Sequence, residues 1–183
     1  SLMSGEDYYG VWALKSWRWF EGSGIILAFH AVNDGLDARC LNTSSPTYSY
    51  NQGVILDALR HLTMLTGDSY FLLQAAHIAR QAIDERTTPD GGFREATGVM
   101  NIDSRIFRGI FVQALGRLVP ALPVGEDREA LKMWLIDESM RLWANRLSDA
   151  QFDNDWNATP FTTSAQAQLT AASLFVAAAR VSG

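Results

Sequence analysis

Asn51-Gln52-Gly53-Val54-Ile55-Leu56-Asp57-Ala58-Leu59-Arg60-His61-Leu62-Thr63-Met64-Leu65-Thr66-Gly67-Asp68-Ser69 decides the fold. The apolar residues Ile55, Ala58, Leu59, Leu62 and Leu65 fall at i, i+3, i+4, i+7 and i+10, which is one face of a helix. Thr66-Gly67-Asp68-Ser69 then supplies a glycine for a left-handed helix end and polar residues that can cap the next helix. A second periodic run follows at once, from Tyr70 to Asp84, so the pair reads as a tight αα-hairpin.

Upstream, a helix is predicted from about Asp7 to Phe20, with Tyr8, Tyr9, Trp12 and Trp19 or Phe20 along one stripe. Gly22 and Gly24 stop it, and Ile25 to Phe29 reads as a short extended stretch ending at the turn Asn33-Asp34-Gly35. Downstream, Asp103 or Ser104 caps a fourth helix whose face is Ile106, Phe107, Ile110, Phe111, Ala114, Leu115 and Leu118. Pro120 and Pro123 break it, Gly125-Glu126-Asp127 turns the chain, and a fifth helix runs to about Arg146. The sixth, from about Ser164 to Arg180, is apolar almost all round, a pattern that expects burial on every side. Laying Gly53 over Gly109 aligns Val54 with Ile110, Ala58 with Ala114, Leu59 with Leu115 and Leu62 with Leu118, an offset of about 56 residues. Repeated hairpins of alternating polarity predict an all-α fold, an α/α-toroid with inner and outer rings. Six helices make about half of an (α/α)6 barrel, so residues 1–183 are expected to be one all-helical domain, the C-terminal half of a larger ring.

Composition excludes several functions. Nearly half the residues are apolar and the formal net charge is −5, so the chain is globular and carries no basic patch for nucleic acid. No run of about 18 apolar residues is present to span a membrane, and no basic segment followed by an apolar one marks a signal peptide. Ser1-Leu2 ahead of Met3 reads as residues preceding an internal start. Cys40 is the sole cysteine, expected either as a buried thiol or as half of a bridge to a cysteine outside this sequence. His30, His61 and His77 lack ligand spacing, so no metal is expected. Gly22-Ser23-Gly24 lacks the strand–loop–helix context of a phosphate loop, and no cofactor is expected.

Several stretches, in order, resemble glycoside hydrolase family 76, the endo-α-1,6-mannanase-like enzymes. They are Trp17-Arg18-Trp19-Phe20-Glu21-Gly22-Ser23-Gly24-Ile25-Ile26, then Val32-Asn33-Asp34-Gly35 with Cys40-Leu41-Asn42. The most specific is Thr47-Tyr48-Ser49-Tyr50-Asn51-Gln52-Gly53-Val54, completed by Thr66 to Tyr70. Phe107-Arg108-Gly109-Ile110-Phe111-Val112 follows, with Arg108 where the family usually has lysine, and then Asp155-Trp156 and Ser164-Ala165-Gln166-Ala167. The resemblance implies an (α/α)6 fold acting on α-1,6-linked mannan, at the cell surface or outside the cell. It also implies that two adjacent aspartates in the N-terminal half serve as nucleophile and acid/base, as an oxocarbenium-like transition state requires. No Asp-Asp dipeptide occurs here, and Glu6-Asp7 reads as a helix start, so no catalytic residue is assigned and the chain alone is expected to be inactive.

Seven residues are candidates for sugar contact, each with a plainer alternative. Tyr50, Asn51 and Gln52 open an apolar helix, where they meet sugar hydroxyls or, with Ser49, cap its first turn. Asp34 faces the same mouth or belongs to an ordinary turn, and Asp103 faces it or caps the fourth helix. Glu95, after Gly91-Gly92-Phe93-Arg94, is a site acid or an exposed loop residue. Trp156, inside Asp153-Asn154-Asp155-Trp156-Asn157, stacks on a pyranose or covers a core edge, whereas Trp12, Trp17, Trp134 and Trp143 read as packing residues. The expected partners are a mannan-type oligosaccharide and either a second copy or the missing half-ring. Opening the ring is expected to expose Leu174, Phe175 and Val176.

Overall fold

The computed structural model describes residues 5–43, 46–95, 101–147, 149–156 and 162–183. Its helices are α1 (Asp7–Gly22), α2 (Ser49–Thr66), α3 (Tyr70–Arg86), α4 (Phe107–Leu118), α5 (Glu126–Ala144) and α6 (Ala165–Ser182), with 3-10 turns at Ser104–Ile106 and Val119–Ala121 on either side of α4. Among the described residues there is no named strand, only three isolated bridges, so the extended stretch predicted after α1 shrinks to the single pair Ile26–Val32. The architecture is the expected all-α half of an α/α-toroid.

Local chemistry sets the boundaries. Gly67 takes φ 73° and donates its N–H to Thr63, closing α2, while the Asp68 carboxylate accepts the Tyr70 N–H at 2.9 Å to open α3. Ser164 caps α6 by accepting the Ala167 N–H at 3.1 Å. Glu126, Asp127 and Glu129 crowd the positive end of α5.

The inner layer is α2, α4 and α6, packed side by side in that order, with α3 and α5 outside them. Glycine permits the close approach. A Cβ on Gly53 would stand 2.7 Å from the Phe111 Cα of α4, and one on Gly116 would stand 2.6 Å from the Ala177 Cβ of α6. The residues sealed between layers include Leu56, Leu59, Ile78, Phe111, Leu115, Leu131, Leu135 and Leu174, all fully buried. On the inner side the surface stays open, with a groove of about 340 Å³ between α4 and α6 lined by Gln113, Arg117, Leu169, Val176 and Arg180.

Helix α6 therefore departs from its reading as a helix buried on every side. Leu169 and Val176 are each 58% exposed on the concave face, because among the described residues no element covers the inner side of the half-ring. Of the three residues expected at the opening only Val176 is exposed. Leu174 is buried, and Phe175 packs on Trp143 and Phe152 at ring separations of 6.0 and 5.3 Å. Trp17 is buried as expected, but Trp12 and Trp143 are half exposed, each beneath a cation from Lys15 or Arg146.

The connections from outer to inner helices reuse one turn four times. Leu27 N–H bonds Ala31 O while His30 N–H bonds Leu27 O, and the same pair of bonds recurs at 37–41, 88–92 and 147–151. Each turn places its fourth residue in the left-handed region: His30 at φ 67°, Cys40 at 59°, Gly91 at 84° and Ala150 at 60°. This is a type I turn closed by a bulge. Only one of the four uses glycine, which is why three were invisible in the sequence. Cys40 is an exposed free thiol, which removes its reading as a buried one.

Candidate functional site

These turns deliver the loops to the N-terminal ends of the inner helices, and the candidate residues gather there. Asp34 is exposed, and its Oδ1 accepts the Tyr50 hydroxyl at 2.6 Å and the Asn51 amide at 3.1 Å. Burial, then the bond to Asp34, pushes the Tyr50 phenol up to about 12, so it remains a donor across the physiological range. The loop beneath is fixed by Asn33, which is buried and donates to Gly35 O at 3.0 Å and to Asn42 Oδ1 at 2.7 Å. Asn42 in turn donates to Gly24 O at 2.8 Å.

Gln52 lies one step deeper and is fully buried. Its Oε1 accepts the Val32 N–H at 2.9 Å, and its Nε2 donates to Val32 O at 2.7 Å and Tyr48 O at 3.2 Å. The amide is thus spent on backbone and clamps the Asp34 loop to α2. Glu95 is half-buried rather than an exposed loop acid. It reaches the first residue of α2 from the other side, accepting the Ser49 N–H at 3.1 Å and the Ser49 hydroxyl. Glu95 thereby supplies the cap that had been sought in Ser49 or Asn51. Asp103 does not cap α4 with its side chain: Asn101 Oδ1 accepts the Asp103 and Ser104 N–H groups at 3.0 and 2.8 Å, leaving Asp103 exposed ahead of the helix.

Trp156 is interior, 1% exposed, and so offers no open platform. Its indole N–H reaches Thr170 Oγ1 at 3.3 Å, and the Arg108 guanidinium lies 4.6 Å from the ring centre. Arg108 is itself fully buried. It donates to Phe93 O at 3.2 Å and to Asn154 O, and stands 3.8 Å from Asp155. Burial pulls its guanidinium pKa down, while Glu95, Asp155, Glu138 and Asp153 push it back up. Glu138, also buried, accepts the Phe93 N–H at 3.3 Å and pairs with Arg141 at 3.3 Å.

The structure therefore brings Asp34, Tyr50 and Asn51 into one polar cluster, sets Glu95 beside it through Ser49, and uses Gln52 and Trp156 as supports. It also reveals an aromatic patch that sequence reasoning missed. Phe107, at the start of α4, lies 4.4 Å from the Tyr50 ring and 5.4 Å from that of Tyr48, all three half exposed. The alternation Tyr48-Ser49-Tyr50 was the available signal, since residues flanking a helix start can share a face with the next inner helix. Half-exposed rings next to a carboxylate offer an apolar surface and hydrogen-bond acceptors at one place, a combination suited to a sugar's C–H face and hydroxyls. Among the described residues no group of three or more His, Cys, Asp or Glu is arranged to hold a metal, and no helix is long and apolar enough to cross a membrane.

The chain as a whole is similar to known proteins. Mannan endo-1,6-alpha-mannosidase DCW1 of Candida albicans is 26% identical over 146 residues, covering 74% of this chain and 32% of that protein. The DCW1 of Saccharomyces cerevisiae is 29% identical over 140 residues, covering 72% and 30%. In structure, an inactive variant of the α-1,6-mannanase GH76A of Salegentibacter sp. HEL1_6, with two consecutive aspartates replaced by asparagine and α-1,6-mannotriose bound, superposes with TM-score 0.84 at 22% identity. That match covers 98% of this chain and 54% of the mannanase chain, so this chain spans about half of the solved toroid and a third of the curated relatives. The profile of Glycosyl hydrolase family 76 fits residues 1–181, and the chain belongs to that family.

Proposed function

We propose that this chain forms the carbohydrate-holding half of a family 76 toroid and binds α-1,6-linked mannose oligomers at the mouth formed by Asp34, Tyr50 and Asn51. The observation that carries the reading is the exposed Asp34 carboxylate, fixed on one oxygen by Tyr50 and Asn51, beside the Tyr48–Tyr50–Phe107 rings. Vicinal sugar hydroxyls donate to such a carboxylate, and the rings cover the pyranose C–H face. The mannanase to which the chain is similar binds α-1,6-mannotriose, which supports this choice of sugar. Glu95 and Asp103 flank the mouth, while Gln52 and Trp156 position it. Hydrolysis needs a donor and a nucleophile on either side of the glycosidic bond, and the absence of adjacent aspartates supports a chain that binds without cleaving. A mannan ligand puts the protein at the cell surface or outside the cell.

Titration of the chain with α-1,6-mannotriose, followed by NMR, tests this. Millimolar affinity is expected, about −4 kcal/mol, because a half-cleft buries few sugar atoms. Shifts should centre on residues 34 and 48–51, Asp34→Ala should weaken binding at least tenfold, and no reducing ends should be released from debranched mannan. Shifts confined to the α5 tryptophans, or equal binding by Asp34→Ala, would remove the proposed mouth.

A further inference from the structure

Two of the three histidines meet. His30 takes the left-handed position in the first of the repeated turns, and its ring stands 4.8 Å from that of His77 on α3, tilted by 47°. Both residues are half-buried. The His77 Nδ1 atom is itself buried and has no hydrogen-bond partner among the described residues. A charged imidazole carries N–H on both nitrogens, so a proton on that atom is a buried donor facing no acceptor. The surrounding charges do not relieve the pair. His30 is the one titratable residue from Ile25 to Val32. Beyond that stretch Asp34 is engaged by Tyr50 and Asn51, and Asp37 by Arg39. Along α3 the next charged residue is Arg80, a further cation that pairs with Asp127, and Asp84 follows about two turns from His77. Among the described residues the charge that acts on His30 is that of His77.

We propose that the facing His30 and His77 rings are an acid-sensitive latch, which holds the 27–31 turn against α3 while both are neutral and releases it when the pair takes up a proton. The turn is well placed to pass this on. Leu27 N–H bonds Ala31 O, Asn33 N–H bonds Ile25 O, and Val32 N–H bonds the Gln52 amide, so the segment moves as one piece with the start of the Asp34 loop. Burial, then the charge of His77, pulls the His30 imidazole below its ordinary 6.5. The released turn therefore binds protons more readily than the latched one. Latching is complete above pH 6.5 and is lost as pH falls through the lowered value. The inference does not depend on sugar binding.

Amide exchange and histidine ring NMR between about pH 8 and 5 decide. After correction for intrinsic exchange, protection of the Leu27, His30, Val32 and Asn33 N–H groups should fall about tenfold for each unit by which the His30 midpoint is lowered, while the α4 amides hold. His77→Gln should raise the His30 midpoint and shrink the fall. His30→Asn, which suits a left-handed backbone, should abolish it. His61→Gln should behave as the wild type, since His61 lies on α2 against Arg60 and the Asp57 carbonyl. Protection indifferent to pH in the wild type, a His30 midpoint unmoved by His77→Gln, or a fall that persists in His30→Asn would each overturn the proposal.

Discussion

Gln52 and Arg108 occupy equivalent places one repeat apart, and they solve one problem by different chemistry. Each is fully buried in the first turn of an inner helix, next to a close-packing glycine, and each holds the bridge residue of the loop before it. Gln52 satisfies both the N–H and the C=O of Val32 with one neutral amide. At the second site the work is divided: Arg108 takes Phe93 O while Glu138 takes the Phe93 N–H. The neutral clamp is complete in itself and sits under the polar Asp34 cluster. The charged clamp needs a set of carboxylates around it and in return ties a further loop, through Asn154 and Trp156, to the start of α4. An amide secures one loop cheaply, and a buried cation secures two at the cost of a desolvated charge network.

Breaking the two clamps should separate them most widely. Arg108→Met removes the cation that donates to Phe93 O and Asn154 O and that faces Asp155 and Glu138. A loss of about 3–5 kcal/mol in urea unfolding is expected. Gln52→Leu should cost less, about 2 kcal/mol, since Val32 loses two neutral bonds beside a loop that can admit water. Equal losses would show that charge makes no difference between the repeats.

The two glycines next to the clamps sharpen the same comparison. An alanine at Gly53 meets the α4 backbone at 2.7 Å, whereas one at Gly109 meets the Thr170 methyl at 2.9 Å and backbone only at 3.3 Å, the milder clash. Gly53→Ala should therefore lose about 1–3 kcal/mol and Gly109→Ala roughly half as much, each reduced by alanine's better helix propensity. A reversed order in thermal unfolding would mean that the second seam is the tighter one.

The smallest expected effect is a pH slope confined to the charged clamp. Burial pushes the Glu138 carboxyl above its ordinary 4.5, against the pull of the Phe93 N–H, Arg141 and Arg108. The folded protein then binds more protons than the unfolded chain between 4.5 and the raised value. Glu138's contribution is therefore complete below pH 4.5 and is lost as pH rises through that window. Unfolding curves for wild type and Glu138→Gln should converge on the acid side and diverge above it. Parallel curves would remove this account, and Gln52→Leu should leave the slope unchanged.

Helix order, the αα-hairpin and the repeat were legible because each rests on periodicity, and the overlay of Gly53 on Gly109 picked out residues that do form helix seams. Burial of polar and aromatic residues was less legible. Trp156 was legible only as a choice between a sugar platform and a core edge, and Gln52 between a sugar contact and a cap, because the partners that draw them inside, Thr170 and Val32, are distant in sequence. Asp103, read as a cap or as a residue of the mouth, does not cap, because Asn101, two residues earlier, already accepts the Asp103 and Ser104 N–H groups. Within the candidate site, Asp34, Tyr50 and Asn51, each singled out in the sequence, come together through hydrogen bonds, while Phe107 escaped because its ring belongs to another helix's face. The repeated turns escaped because His30, Cys40 and Ala150 tolerate a backbone usually given to glycine.

The unequal anchoring of the helices has a consequence for how the molecule opens. Helix α4 is held from both sides and buries Phe111, Val112, Leu115 and Leu118, whereas α1 buries only Gly10 and Trp17. Stacked units of this kind unfold from their ends, each loosening at its own free energy, and the end unit opens long before the whole does. The loop that carries Asp34 joins α1 to α2, so it inherits the fraying of the weaker neighbour. Local opening of α1, with α4 still folded, would disperse the polar cluster at the mouth while most amide protons stayed protected.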